Sequence, residues 1–192
     1  MPVSRRTLLR AVAGGGVFGA AACGDGKDGK SAATVAPSAS QVGFFGGTDL
    51  AWVEINIAMN EQLLPLLALA PTKASSADVK SFVSQVDMVA EQELTTLRQL
   101  HDQAKLPSEN PHEGMPMPGM VTPEQVAAAR GATGAAFDKL VLQHVRAHLE
   151  QGTSLAKSET KAGVEPQTLA LARQVLTNRA IALKQLETMT AA

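Results

Sequence analysis

Apolar side chains recur along most of the chain at steps of three and four residues, with polar residues between them. This is the period of an amphipathic α-helix, and Gly, Pro, Ser and Thr residues separate the segments that carry it. Thr48 is expected to cap the first helix, and Ser75 or Ser76 the second. Pro65 should kink the last turn of the first helix because its ring clashes with the carbonyl group four residues back. The predicted helices cover residues 48–66, 76–103, 135–161 and 166–189.

The third predicted helix carries polar side chains on the side that should be apolar. A buried imidazole needs a hydrogen-bond partner, a counter-charge or a metal, because burying it unpaired costs roughly 1 to 3 kcal/mol. We therefore expect the layer that contains the two histidines to be the functional one. With inward positions at alternating steps of four and three, this side consists of Phe137, Val141, His144, His148, Gln151 and Leu155.

The two halves of the chain repeat with a constant offset, since Asp138 lies 89 residues after Asp49 and further matches keep this register. One helical hairpin cannot cover its own apolar side. The repeat therefore predicts an all-α fold in which two hairpins close on each other as a four-helix bundle with a pseudo-two-fold axis. The other matched pairs include Met59 with His148, Gln62 with Gln151, Leu66 with Leu155 and Leu97 with Leu186.

Residues 105–134 join the two hairpins. The stretch from Lys105 to Val121 contains four prolines and cannot be helical. Thr122 and Gln125 then form a capping box with Pro123 at the first helical position, which predicts a short helix. We expect this segment to cover the bundle, but the pattern leaves its path open.

The N-terminal segment has the features of an export signal. Residues 4–10 contain paired arginines, and the apolar run that follows is shorter than the roughly 20 residues that span a membrane. The three alanines before Cys23 resemble a lipoprotein signal-peptidase site. We therefore expect a cleaved twin-arginine-type leader at 1–22 and a lipid on Cys23, which would anchor the protein to the outer face of the cytoplasmic membrane. The alternative is an unmodified cysteine in a secreted or uncleaved leader.

Composition narrows the functional classes further. Residues 23–47 are rich in Gly, Ser, Ala and Asp and predict a flexible tether ahead of a folded domain at 48–190. Without the three leader arginines the chain keeps 14 Lys and Arg against 18 Asp and Glu, a formal charge of −4 that argues against nucleic-acid binding. The predicted helices lack the Glu-x-x-His spacing of di-iron bundles, and no nucleophile motif is present, so we predict no enzymatic activity.

The repeated residues, together with MPGM before TPEQ and the stretch GAAFDKL, resemble the bacterial export family catalogued as domain of unknown function 305. The resemblance covers residues 49–189. It implies a ferritin-like bundle and an association with copper binding or copper tolerance.

The chain departs from the pattern of this family at several ligand positions. The family carries a His-His pair and a methionine on the first helix of each hairpin. Here His148 is followed by Leu149, and Met59-Asn60 replaces the pair in the first hairpin. The bundle methionines of the family fall on Leu66, Leu97, Leu155 and Leu186.

The first candidate metal site lies inside the predicted bundle. His144 and His148 are four residues apart, and the repeat places Met59 opposite them. Two imidazoles and a thioether suit Cu(I). Glu93 would orient one imidazole without binding the metal itself. The alternative is a metal-free polar layer in which the glutamines at 62 and 151 bond the histidines, and Arg179 reaches Glu93 to place a fixed cation there.

The second candidate metal site is the loop between the hairpins. It holds one imidazole and three thioethers within nine residues, and thioethers bind Cu(I) without losing a proton. The alternative is that the methionines fill gaps at the edge of the core. The four residues are His112, Met115, Met117 and Met120.

Together these observations predict a lipid-anchored copper buffer or carrier outside the cytoplasmic membrane that exchanges copper with a copper-handling protein. The alternative from another class is a metal-free bundle that acts as an interaction or scaffold lipoprotein. The sequence leaves the oligomeric state open.

Overall fold

The structure is a computed structural model, and it describes residues 44–191. The predicted leader, Cys23 and the predicted tether up to residue 43 lie outside the described residues. All regular structure within 44–191 is helical, which confirms the all-α class. The helices are α1 (Gly47–Leu67), α2 (Ala70–Lys73), α3 (Ala77–Ala104), α4 (Pro123–Gly131), α5 (Gly134–Ala162) and α6 (Pro166–Ala191).

Four long helices form the bundle, and the path of the chain through it is ferritin-like. Helix α1 packs against α3 and α5, and α6 packs against α3 and α5. The start of α1 lies beside the turn before α6, and the start of α5 lies beside the turn before α3. The connection from α3 to α5 therefore runs the full length of the bundle, which gives an up-down-down-up order with one long crossover.

The predicted repeat is visible in the hydrogen bonds that close the two ends of the bundle. Asp49 accepts the N–H groups of Val164, at 3.0 Å, and Glu165, at 3.1 Å. Asp138 accepts the N–H groups of residues 75 and 76, both at 3.0 Å. Each donor and each acceptor in one set lies 89 residues from its counterpart in the other, so the two hairpins are joined by equivalent contacts.

Helix caps follow the sequence at two of three starts. Ser76 caps α3, and Thr122 forms the predicted capping box with Gln125 at the start of α4. Thr48 does not cap α1, because the helix begins at Gly47 and its N-cap residue is Gly46, two residues before Thr48. The carboxylate of Asp49, in the first turn, accepts the Gly46 N–H at 2.7 Å and so fixes the backbone at the start of the helix.

The core consists of two apolar clusters with a polar layer between them. One cluster surrounds Phe82 and Phe137, and the other surrounds Trp52 and Leu97. On each long helix, buried polar or sulfur-containing side chains occupy the positions at the boundary between the clusters. These residues are Met59 and Asn60 on α1, Glu93 on α3, His148 on α5 and Arg179 on α6.

The predicted inward register of α5 is wrong at three positions. Val145 is buried where His144 was expected, and Gln151 and Leu155 are half-buried. The six steps of the buried stripe cover 22 residues, close to the 3.6-residue period of a straight helix, whereas the prediction assumed the 3.5-residue period of a coiled coil. The buried stripe contains Phe137, Val141, Val145, His148, Gly152, Ala156 and Glu159.

None of the helices within residues 44–191 has both the length and the apolar character needed to cross a membrane.

Candidate metal site between the helices and the crossover loop

Methionines from α1 and from the crossover loop meet in one cluster. Met59 of α1 and Met120 of the loop are both buried, and Met117 packs against them. Ala58 completes the buried part of this group, and Ile55 and Leu155 pack around it. The methionine that was predicted for the interior site therefore lies with two methionines that were predicted for the loop site.

Glycine at position 119 allows the loop to lie directly on α5. Gly119 has a φ of 78°, in the left-handed region that other residues rarely adopt. A Cβ atom here would lie 2.6 Å from the Cβ of Gln151 and 2.7 Å from the carbonyl oxygen of Ala147. It would also lie 3.2 Å from the Cα of His148. Close approach of this glycine therefore brings the methionines on either side of it to the turn of α5 that carries His148.

His148 is buried without a hydrogen-bond partner. Its side chain is 1% exposed, and neither ring nitrogen has a well-aligned partner among the described residues. Burial, and then the charge of Arg179, lower its pKa to about 3, although the nearby backbone of Gly119 acts in the opposite direction. The ring is therefore neutral at ordinary pH, and a lone pair on one nitrogen is unused.

Met59 and His148 lie at the same level of the bundle. Helices α1 and α5 are antiparallel, and Asp49 of α1 contacts Glu159 of α5. Met59 follows Asp49 by ten residues and His148 precedes Glu159 by eleven, so both lie about 15 to 16 Å from this contact at a rise of 1.5 Å per residue. The thioether cluster and the unpartnered imidazole therefore share one layer.

The same layer contains the buried ion pair that the sequence suggested. Arg179 donates to Glu93 at 2.6 Å and 3.3 Å, and Asn178 donates to the same carboxylate at 3.3 Å. Gly152 leaves room for the guanidinium group, because a Cβ atom there would lie 3.1 Å from Nε of Arg179. The carboxylate balances the charge of the guanidinium group, but Nε has no partner.

Three predicted ligands are not among the buried methionines of the cluster. His144 is half-buried on the flank of α5, and this partial burial lowers its pKa. Met115 is 44% exposed. His112 faces Glu54 of α1, with Nε2 and the carboxylate 3.9 Å apart, about 7 Å along the helix from Met59. His144 and Met115 therefore lie outside the buried methionine cluster, and His112 is engaged by Glu54 at its edge.

The two glutamines support the loop instead of forming a core layer with the histidines. With its amide oriented as the neighbouring groups require, Gln62 donates to the carbonyl of Val121 at 3.2 Å and accepts from the N–H of Gly114 at 3.0 Å. Gln151 is half-buried and lies against Gly119. The crossover lies over α1 at Gln62 and over α5 at Gln151, so neither glutamine forms the expected layer with the histidines.

Two further buried polar residues, Asn60 and Glu159, were not predicted as site residues from the sequence. Asn60 is buried with an unpartnered side-chain oxygen, and both oxygens of the Glu159 carboxyl group are buried without a donor. The repeat contained a signal for each, because the offset of 89 residues pairs Asn60 with Leu149 and Glu159 with Ala70. A polar residue that replaces an apolar one in a repeat is a candidate for a special role.

The donor set of the central layer is sulfur and nitrogen. Within residues 44–191 no three His, Cys, Asp or Glu side chains converge as a metal site built from them would require. Three thioethers and one neutral imidazole are soft ligands, and this combination fits Cu(I) better than it fits Mg²⁺ or Ca²⁺.

The fold and this layer define a ferritin-like four-helix bundle with a covering crossover loop. The family model described as Domain of unknown function (DUF305) matches residues 49–190, and the chain belongs to this family. A comparison with curated proteins finds no match.

Two solved structures of the same family share the fold. A DUF305 protein from Streptomyces coelicolor that is described as secreted has a TM-score of 0.67 at 16% identity, over 75% of this chain and 92% of its own. A DUF305 fragment from Deinococcus radiodurans has a TM-score of 0.66 at 14% identity, over 76% of this chain and 96% of its own. At these identities the likeness concerns the fold.

Proposed function

We propose that this protein is an exported, lipid-anchored copper buffer or carrier that binds Cu(I) through Met59, Met117 and Met120 with His148. The observation that carries the proposal is the convergence of thioethers from α1 and the loop on the turn of α5 that holds an unpartnered imidazole. An orphaned buried polar group normally signals a missing water or ion. A soft cation would use the thioethers and the imidazole nitrogen together.

The position of the ligands favours reversible binding. One ligand, Met59, is held on a bundle helix, whereas Met117 and Met120 belong to a loop that is attached at a few points, among them the amide of Gln62. A movement of the loop would withdraw two thioethers together and lower the affinity in one step. This property suits a protein that takes up copper and passes it to a copper-handling partner.

Export and membrane attachment belong to the same proposal. The paired arginines at 4–10 and the alanines before Cys23 support them, as does the description of the Streptomyces coelicolor relative as secreted. Mass spectrometry of the protein from its own cell envelope should find a diacylglycerol group on Cys23. The variant Cys23→Ala should move to the soluble fraction, and a wild-type protein that is already soluble would contradict the anchor.

A Cu(I) competition titration with a chromogenic chelator tests the metal site. Replacing Met59, Met117 and Met120 by Leu preserves apolar volume and removes the sulfur ligands. We expect the affinity for Cu(I) to fall by at least tenfold. The matched control is the double variant Met88→Leu/Met115→Leu, whose methionines are both exposed and outside the cluster, and it should bind like the wild type.

Two results of this titration would contradict the proposed site. If the control variant loses as much affinity as the cluster variant, copper binds the loop as a linear motif. If the wild type binds no more tightly than the cluster variant, the protein does not use these thioethers for copper.

The second candidate function is a metal-free interaction or scaffold lipoprotein. The buried pair of Arg179 and Glu93 favours it, because this pair places a fixed cation in the layer beside His148. Two results together would support this function. The wild type would bind no Cu(I) in the titration, and the His148 ring would have water as its partner.

A further inference from the structure

Three carboxyl groups are buried together at the end of the bundle where α1 begins. Asp49 is on α1, Glu159 is near the end of α5 and Glu165 precedes α6, and each is at most 1% exposed. Asp49 and Glu165 both accept hydrogen bonds from neighbouring groups. Asp49 accepts three backbone N–H groups, and Glu165 accepts the N–H and the hydroxyl group of Thr168 at 2.5 Å and 2.8 Å.

Glu159 has no such donors. Neither of its oxygens receives a hydrogen bond from an N–H or hydroxyl group, and Gly163 folds so closely over it that a Cβ atom at 163 would collide with Oε1. The charged groups that act on it are Asp49 from α1 and Glu165 from the turn before α6, and α3 contributes none. No Lys, Arg or His within residues 44–191 forms an ion pair with any of the three carboxyl groups.

The opposite end of the bundle shows that an aspartate can bind the next turn without the two additional acids, Glu159 and Glu165. There Asp138 holds the turn before α3 as Asp49 holds the turn before α6. The offset of 89 residues pairs Glu159 with Ala70 and Glu165 with Ser76. The same backbone contact is therefore built once with an alanine and a serine and once with two acids, so Glu159 is not required to form it.

We propose that Glu159 is a proton-binding site that fastens the end of the bundle at which α1, α5 and α6 meet. With the proton bound, the carboxylic acid donates a hydrogen bond to the Asp49 carboxylate. When the proton passes to solvent at alkaline pH, two carboxylates face each other without a cation between them, and the contact between Asp49 and the turn before α6 loosens.

The pKa values of the two groups support this division of roles. Burial, the hydrogen bond to Asp49 and the charges of Asp49 and Glu165 raise the pKa of Glu159 to about 8. Burial also raises the pKa of Asp49, but hydrogen bonds from Glu159 and from the backbone hold it below its ordinary value. The proton therefore belongs to Glu159, and it is lost at mildly alkaline pH.

Loosening of the contact between Asp49 and the turn before α6 would affect the residues just before α1. Asp49 also holds the Gly46 N–H, and Phe45 packs against the apolar cluster around Trp52. Release of the carboxylate contact would therefore free the residues that join the fold to the predicted tether. The methionine cluster lies about 15 Å away along α1, so copper binding is a separate property.

Hydrogen exchange of the whole protein without copper, measured by NMR from pH 6 to pH 9.5, tests the proposal. After correction for intrinsic base catalysis, we expect protection of the Gly46, Val164 and Glu165 amides to fall about tenfold between pH 7 and pH 9. The amides of residues 75 and 76 at the opposite end serve as the internal control and should keep their protection.

Two variants distinguish the effect of the Glu159 proton from the effect of side-chain packing at this position. Glu159→Gln keeps a donor toward Asp49 at every pH, so its exchange should not change above pH 7. Glu159→Ala copies the residue at position 70 and should also lose the pH dependence. A wild-type protein whose two ends respond equally, or a Gln variant that responds like the wild type, would overturn the proposal.

A carbon-13 titration of the Glu159 carboxyl group keeps the test independent of how the variants fold. The resonance should titrate above pH 7, and a midpoint below pH 6 would overturn the proposal.

Discussion

His148 is a side chain that lowers the stability of the metal-free protein and is a candidate ligand for a metal. Its two nitrogens are buried without a well-aligned partner, and its ring is neutral. A buried polar group without a hydrogen bond costs free energy, and this cost is removed only when a partner arrives. Under the proposed function, this partner is Cu(I).

Replacing His148 by Leu should change the free energy of unfolding and the affinity for Cu(I) in opposite directions. We expect the free energy of unfolding without copper to increase by about 1 to 3 kcal/mol, because the unsatisfied nitrogens are removed and the volume is nearly kept. Urea denaturation measures the first effect, and the Cu(I) titration should show weaker binding. The control His144→Leu changes a half-buried ring outside the cluster and should alter neither. A destabilised His148→Leu protein with unchanged copper affinity would contradict this explanation.

The pair of Arg179 and Glu93 should behave as a unit. Arg179→Met alone leaves a buried carboxylate without its cation and should lower the free energy of unfolding by about 3 to 5 kcal/mol. The double variant Arg179→Met/Glu93→Leu removes both charges and should lie within about 1 to 2 kcal/mol of the wild type. Urea denaturation of the four proteins of this double-mutant cycle, including Glu93→Leu, checks the prediction. Additive losses would show that the two charges are stabilised by other groups.

The crossover loop is the element that turns a plain bundle into a candidate metal site. It lies along the seam of α1 and α5, held at Glu54 by Asn110, at Gln62 by two backbone groups and on α5 by Gly119. Each of these contacts joins the loop to a helix of the bundle. The position of Met117 and Met120 is therefore a consequence of how the whole loop is attached.

Gly119→Ala should detach the part of the loop that carries these methionines. The added Cβ atom meets the Ala147 carbonyl oxygen and the Gln151 side chain, and the left-handed φ adds about 1 to 2 kcal/mol. Gly114→Ala is the matched control, because it has a φ of 71° but open space around the new atom. We expect urea denaturation to show a loss at least 1 kcal/mol larger for Gly119→Ala, from the close contact. Copper affinity should fall only in that variant, and equal losses in both would assign the effect to backbone strain alone.

The two ends of the bundle are joined by equivalent aspartates, but the side chains around these aspartates differ. The end at Asp138 contains serine and alanine, whereas the end at Asp49 contains a carboxyl group with a raised pKa. The repeated hairpins therefore form a symmetric frame, and the acid at 159 breaks this symmetry at one end.

The pH dependence of stability should follow from this difference. The pKa of Glu159 is raised from 4.5 to about 8, so the folded state holds a proton that the unfolded state releases. The free energy of unfolding should therefore fall as the pH rises through this window. His148 acts in the opposite direction below pH 6.5, because its pKa is lowered to about 3. Only between about pH 6.5 and 8 is the effect of Glu159 unopposed by His148.

Urea denaturation at a series of pH values checks this prediction. The wild type should lose stability from pH 6.5 to pH 8, and Glu159→Gln should show a flat profile there. A wild-type profile that is flat or rises across this window would contradict the assignment of the proton to Glu159.

Local signals determined the helical architecture. The repeat of apolar residues, the Ser76 and Thr122 caps, and the prolines between 105 and 121 depend on neighbours within one or two turns, and they predicted the long helices and the interrupted connection. The offset of 89 residues predicted the pairing of hairpins. These features can be recognised in the sequence because helix formation and capping involve residues close in the chain.

The tertiary structure was needed wherever the answer depends on distant residues. Successive helix positions differ by about 100° in direction, so a small error in the assumed period exchanges His144 for Val145 after two turns. Asp49 meets Val164 across 115 positions of the chain, and Gly119 meets α5 by a contact that no periodic pattern contains. Packing between separate elements selects the buried histidine, the landing point of the loop and the carboxyl group that keeps its proton.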